Sequence, residues 1–124
     1  MPKLLRCSKC GKIVAVVNDV PVPTICCGQP MEQLVANPSD GGAKEKHVPV
    51  YKVEGNIVEV KVGEVQHPFV EGHYIQFILI ETNLGRQKKD LTFKDAPEAR
   101  FALLDGEKLL GVYAYCNLHG LYKA

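Results

Sequence analysis

The sequence predicts a mainly β protein, with a short N-terminal unit over residues 1–36 followed by an antiparallel, immunoglobulin-like β-sandwich over residues 37–124. Three observations lead to this expectation. Apolar and polar residues alternate in the second part, most clearly where Glu59 and Lys61 separate Val58, Val60 and Val62, as expected of half-buried strands. Turn signals recur at Glu54-Gly55-Asn56, Asn83-Leu84-Gly85, Asp95-Ala96-Pro97 and Asp105-Gly106, and no capped helical pattern of useful length lies between them. Four of the 5 cysteines fall between Cys7 and Cys27, in a stretch too short to bury a core of its own.

The N-terminal unit reads as a knuckle at Cys7-Ser8-Lys9-Cys10-Gly11, a short apolar strand from Ile13 to Val17, a turn from Asn18 to Pro23, and then Cys26-Cys27-Gly28. Asn37 to Lys46, with Pro, Ser, Asp and adjacent glycines, reads as linker and loop. Further strands are expected at Val48 to Val53, around Val58 to Val62, and at Tyr74 to Glu81, Lys89 to Phe93, Ala99 to Leu103 and Leu109 to Cys116. Short strands with regular turns favour a sandwich. On the last strand, alternation places Cys116 on the side of Leu110, Val112 and Ala114, so that the thiol points inward.

Composition narrows the function classes. The net charge is +1 with 23% charged residues, so no broad field points to a nucleic acid or a membrane as partner, and any electrostatic steering must be local. No apolar run approaches the ~20 residues needed to span a bilayer, and the start M-P-K-L-L-R-C-S-K-C has no apolar signal core. The expectation is a soluble cytoplasmic protein. In a reducing compartment an odd, clustered set of cysteines points to metal binding or catalysis before it points to disulfides.

Cys7 and Cys10 sit on one tight turn whose Gly11 supplies permissive backbone, and Cys26 and Cys27 follow after fifteen intervening residues, with no spacer between the two. Four thiolates here make a candidate tetrahedral all-sulfur site for iron or zinc, whose binding energy is also folding energy. The adjacent pair must splay, which does not favour zinc and leaves iron open. Lys3, Arg6, Lys9 and Lys12 surround the knuckle, either compensating its charge or forming an ordinary solvated face.

The second constellation is His47, His67, His73, Cys116 and His119, in which all 4 histidines lie beside a turn or strand end. A single histidine is usually structural or solvent-exposed. A catalytic Cys116 with His119 as its base would leave the other three unexplained. A metal accounts for all five with one object, and five donors are too many for structural zinc. They suit iron in a square pyramid, with the thiolate on the axis and a sixth position open.

E-K-H-V-P-V (Glu45 to Val50), H-P-F…H-Y-I (His67 to Ile75) and C-N-L-H-G (Cys116 to Gly120) resemble the superoxide reductase family. With the C-x-x-C…C-C stretch in front, both parts of the chain are similar, in order, to the two-iron desulfoferrodoxin class, whose first domain is desulforedoxin-like. The resemblance implies His47, His67, His73 and His119 as equatorial ligands and Cys116 as the axial one, with two irons per chain. It places Lys46 on the approach side of the open position and Glu45 on the same loop, where a carboxylate can occupy the sixth site of ferric iron. It implies one-electron reduction of superoxide to hydrogen peroxide, re-reduction by a donor such as rubredoxin, an accessory first iron and a homodimer. Tyr122 departs from the tryptophan common in relatives and touches no ligand assignment. Two rival readings are a non-catalytic iron electron-transfer protein and a zinc-binding interaction module; visible absorption of ferric thiolate centres separates them.

Overall fold

A computed structural model describes residues 3–41, 47–63 and 70–124. The chain divides into two compact units, Met1–Val35 and Ala36–Ala124. Among the described residues there is no helix.

In the first unit, β1 (Leu4–Arg6) lies between β2 (Ile13–Ala15) and β5 (Glu32–Gln33), with antiparallel pairing on both sides. A second, two-stranded ladder joins β3 (Ile25–Cys26) to β4 (Gln29–Pro30). The expected strand from Ile13 to Val17 stops at Ala15, and Val17 is 97% exposed. Among the described residues of this unit, only Leu4, Leu5 and Cys7 are buried. Two leucines cannot offset the entropy lost in ordering a segment of this length, so the unit needs a covalent or metal staple.

The second unit is a two-layer sandwich. One sheet has the order β10-β7-β6, formed by β6 (Pro49–Glu54), β7 (Ile57–Val62) and β10 (Glu98–Ala102); the other has the order β12-β11-β8-β9, formed by β8 (Ile75–Thr82), β9 (Gly85–Asp90), β11 (Leu109–Cys116) and β12 (Gly120–Lys123). Every strand pair is antiparallel. Val58, Val60 and Val62 share one core with Ile78, Ile80, Val112 and Ala114, joined by Phe101 and Leu103. Each such aliphatic side chain contributes ~1.5–3 kcal/mol when fully buried, so this unit holds a core that the first lacks.

Three details depart from the expected pattern. The strand expected from Lys89 to Phe93 is instead β9, because Asn83-Leu84 closes a tight hairpin and the chain pairs with β8 at once from Gly85. Its polar sequence G-R-Q-K-K-D is held by ladder hydrogen bonds on an edge, where no apolar alternation is required. β12 carried no strand expectation and forms because Gly120, at φ 99°, turns the chain back along β11. Leu110, expected inward, is 64% exposed. The pairing of β11 with β8 skips a residue between Leu109 and Gly111, so Leu110 is the extra residue of a bulge and Leu109 packs against the core in its place. Cys116 nevertheless faces inward and is fully buried.

Candidate metal centres

The first centre is built from two turns. Cys7 follows β1, and its carbonyl accepts the Gly11 amide at 2.9 Å while its own amide donates to Lys12 O at 2.9 Å, so the chain folds back within five residues. Gly11 holds φ 80° there, a conformation that glycine adopts without strain. The second turn joins β3 to β4 through Cys27 (φ 53°) and Gly28 (φ 76°), which makes a two-residue hairpin with both central residues left-handed. Cys26 lies in the strand and Cys27 in the turn. This change of backbone handedness between neighbours is what lets two adjacent cysteines serve one centre without a spacer.

The four sulfurs lie within 4.8 Å of one another, and Cys10 Sγ stands 3.6 Å from Cys26 Sγ. A disulfide requires ~2.05 Å, whereas sulfurs held ~2.3 Å from one tetrahedral ion stand about 3.8 Å apart. The protonation balance agrees. The Cys10 backbone amide lowers the Cys7 thiol to about 6, whereas hydrogen bonding with the Cys10 and Cys7 sulfurs pushes Cys26 up to about 12 and raises Cys27. One thiolate forms readily and its neighbours resist a second negative charge. A cation among them removes that conflict, so the donor set fits a metal.

The second centre sits at one end of the sandwich, where strand termini converge. His47 precedes β6 and is buried; His73 precedes β8 on a tight turn closed by the His73 amide on Val70 O at 2.9 Å. Cys116 is the last residue of β11, and the Asn117-Leu118-His119 turn returns the chain into β12, with Cys116 paired to Gly120. Donor atoms of His47, His73, Cys116 and His119 all lie within 4.8 Å of one another. The ring centroids of His47 and His119 are 4.6 Å apart, those of His73 and His119 5.0 Å, and those of His47 and His73 6.4 Å. Cys116 Sγ is 3.6 Å from His119 Nδ1, a separation suited to neighbouring donors on one ion with metal–ligand lengths of ~2.3 and ~2.1 Å. The set runs from the buried sulfur and His47, through half-buried His73, to the exposed His119. Imidazoles with one thiolate form a borderline-soft donor set that suits iron. His67, Glu45 and Lys46 lie outside the described residues.

Three residues around this centre had no role assigned from sequence. The Asn117 side chain accepts the Tyr74 amide at 2.9 Å through Oδ1 and donates to Gly72 O at 2.9 Å through Nδ2, clasping the chain on both sides of His73. Asn117 thereby ties the His73 turn to the one that carries Cys116 and His119. Its backbone amide donates to Tyr74 O at 3.3 Å. Tyr122 stacks on His47, with centroids 5.0 Å apart and planes inclined at 19°. Burial, and then the nearby Asp40 and Cys116, raise its phenol above the usual range, which keeps it a neutral packing surface. Asp40 faces His47 from another side. An Asn inside C-x-x-H was a visible signal for the first of these; nothing local marked Asp40.

Comparison with known proteins bears on both units. The desulfoferrodoxin family model matches residues 39–124, and the model of the desulfoferrodoxin N-terminal domain matches residues 3–34. A desulfoferrodoxin homolog of Methanothermobacter thermautotrophicus is 45% identical over 120 residues, 97% of this chain and 95% of that protein. The desulfoferrodoxin of Nitratidesulfovibrio vulgaris is 42% identical over 122 residues, 98% of this chain and 94% of the relative. Among solved structures, the superoxide reductase from Treponema pallidum superposes with a TM-score of 0.84 at 29% identity, covering 100% of this chain and 98% of its own. The superoxide reductase (1Fe-SOR) from Giardia intestinalis matches with a TM-score of 0.57 at 39% identity, covering 65% of this chain and 96% of that one. With both family models matched in order and relatives above 40% identity along nearly the whole chain, this protein belongs to the desulfoferrodoxin family.

Proposed function

We propose that the chain is a superoxide reductase, an oxidoreductase with two irons per chain, one in each donor set. The observation that carries this reading is the convergence of His47, His73, His119 and Cys116 within 4.8 Å at the end of a sandwich shared with superoxide reductases. His47, His73, His119 and Cys116 would hold iron there, and the chemistry it would supply is one-electron reduction of superoxide, with two protons, to hydrogen peroxide, the electron being restored by an external donor. His67 completes the donor set in this reading.

The chain's own residues shape the reaction. Cys116, buried at the end of β11, offers an anionic sulfur from the core side and leaves the solvent side to substrate. His47 and His73 are held by neighbouring backbone and side chains, and exposed His119 borders the surface. Lys46, one residue from a ligand, would raise the local concentration of a small anion, and Glu45 would offer a carboxylate to the same site. The four-thiolate centre offers no open position, so it is accessory and at most passes electrons. Rubredoxin as donor, a homodimer, a cytoplasmic location and a domain boundary near residue 36 complete the proposal. Among the described residues no helix is long and apolar enough to cross a membrane.

The test is iron content, visible absorption and the consumption of pulse-generated superoxide by pre-reduced protein. Two irons per chain and a second-order loss of superoxide are expected; stoichiometric zinc with no colour after oxidation would overturn the reading. Lys46→Ala is expected to slow the second-order step roughly tenfold and flatten its dependence on ionic strength, because steering by a local cation is screened by salt. Glu45→Ala should leave that step intact and change the ferric spectrum.

A further inference from the structure

Asp40 is a nearly buried carboxylate beside the second centre: its side chain is 11% exposed, against 3% for that of His47. Oδ1 accepts the His47 backbone amide at 2.6 Å and stands 3.5 Å from Nδ1 of the same ring; Oδ2 accepts the Val48 amide at 3.2 Å. A loop could be tied at those two amides by neutral acceptors, whereas burying a carboxylate is costly unless its charge has a use. The group that meets this charge is the edge of an imidazole whose other face stacks on Tyr122.

We propose that Asp40 is the positioning residue for His47: its carboxylate takes the Nδ1 side of the ring, fixes the ring's orientation against Tyr122, and leaves Nε2 as the atom presented to the metal. An imidazole whose second nitrogen faces a carboxylate is a more basic ligand, and loss of such a partner commonly costs ~10–100-fold in metal affinity. The hydrogen bonds to the His47 and Val48 amides hold the carboxylate still while it does so. Ring, carboxylate and the first residues of the β6 approach then move as one body.

The inference rests on the reading of the second donor set as an iron site, and the experiment separates the two. The full chain is reconstituted with iron, and loss of the second iron to a chelator is followed by its own visible band, with the four-thiolate absorption of the same sample as reference. Asp40→Ala is expected to lose the second iron roughly 10–100-fold faster than wild type. Asp40→Asn keeps an acceptor oxygen for the His47 amide but removes the charge; it should lose iron several-fold faster, and both variants should shift the band. If Asp40→Asn shows the wild-type band and wild-type iron loss, with only a lowered thermal midpoint, Asp40 merely ties the loop and the proposal is wrong. Should Asp40→Ala fail to fold, Asp40→Asn decides alone. A wild-type chain without the second band would overturn the iron reading itself.

Discussion

The two donor sets stand in opposite relations to the fold around them. Cys7, Cys10, Cys26 and Cys27 are carried by turns in a unit whose described core amounts to Leu4, Leu5 and one of the ligands. Cys116 lies at the end of a strand whose Val112 and Ala114 are already locked in a core of more than ten buried residues, and its histidines hang from the adjoining loops. In the first unit the metal makes the structure, and in the second the structure makes the metal site. The difference teaches that the same chemical gesture, a ring of soft donors around an ion, can sit at either end of the causal chain from sequence to fold.

Breaking each centre should therefore have unequal consequences. The largest loss of function is expected from Cys116→Ser: an oxygen donor cannot replace the buried thiolate, so the second centre's charge-transfer band and superoxide reduction should vanish, while the four-thiolate spectrum and the sandwich survive. Activity above a few per cent of wild type, measured with pulse-generated superoxide, would show that the reaction does not depend on Cys116 as a ligand. Cys10→Ser should do the reverse, abolishing the four-thiolate absorption and exposing Leu4 and Leu5, with the rate of pre-reduced protein near normal. Hydrogen exchange should find fast amides in residues 4–33 and protected ones in β7, β8 and β11. Protection throughout both units would place the first unit's stability elsewhere than in its metal.

Asn117→Ala sharpens the contrast at intermediate strength. It removes the two side-chain bonds that bracket His73, leaving a half-buried Tyr74 amide and an exposed Gly72 carbonyl to find water, at about 0.5–1.5 kcal/mol for each bond lost. Slower metal loading and a broadened second band are expected with the core intact, because the clasp belongs to the loops and not to the sheets. A thermal midpoint lowered as far as by a core truncation would contradict that division.

The smallest effect concerns acidity, and it falls on the first centre. With the four sulfurs gathered as they are in the fold, Cys26 is raised to about 12 and Cys27 is also raised, so both must release protons to hold a metal. Protons therefore compete with metal across the neutral range, and affinity falls as pH falls. Cys7, lowered to about 6, is already ionised at neutral pH and joins the competition only below about 6. Chelator-driven bleaching of the four-thiolate band should accelerate from pH 8 to pH 6 and steepen beneath it; a flat profile would mean that all four sulfurs are ionised before metal arrives.

What could be read from sequence followed the reach of local rules. Cys7 and Cys10, like Cys116 and His119, announce themselves because three residues of chain fix their proximity. The strands with apolar alternation, β7 above all, were legible for the same reason. The Lys89–Phe93 strand was misplaced because β9 is defined by ladder bonds to β8, not by its own polar side chains. Asn117's clasp joins residues 43 and 45 positions apart, a relation that exists only once the sheet has formed. Asp40's carboxylate reaches His47 across a loop whose composition, rich in glycine and charge, reads as linker.

The bulge at Leu110 has a consequence for how this chain can vary in length. Leu109 packs toward the core and so do Val112, Ala114 and Cys116, an odd step followed by even ones. The extra residue works as a parity correction: Leu109 and the sulfur of Cys116, seven positions further on, would face opposite sides of an uninterrupted strand. Flattening the bulge with all eight residues kept would force a choice between sending Leu109 into solvent and turning the thiol of Cys116 away from its histidines, whereas deleting Leu110 would leave a regular strand with both inward. Changes of length before this centre should consequently be confined to the Leu104–Lys108 connection, where the residue count sets no face, and to Leu110 itself, while the run from Gly111 to Cys116 should admit none.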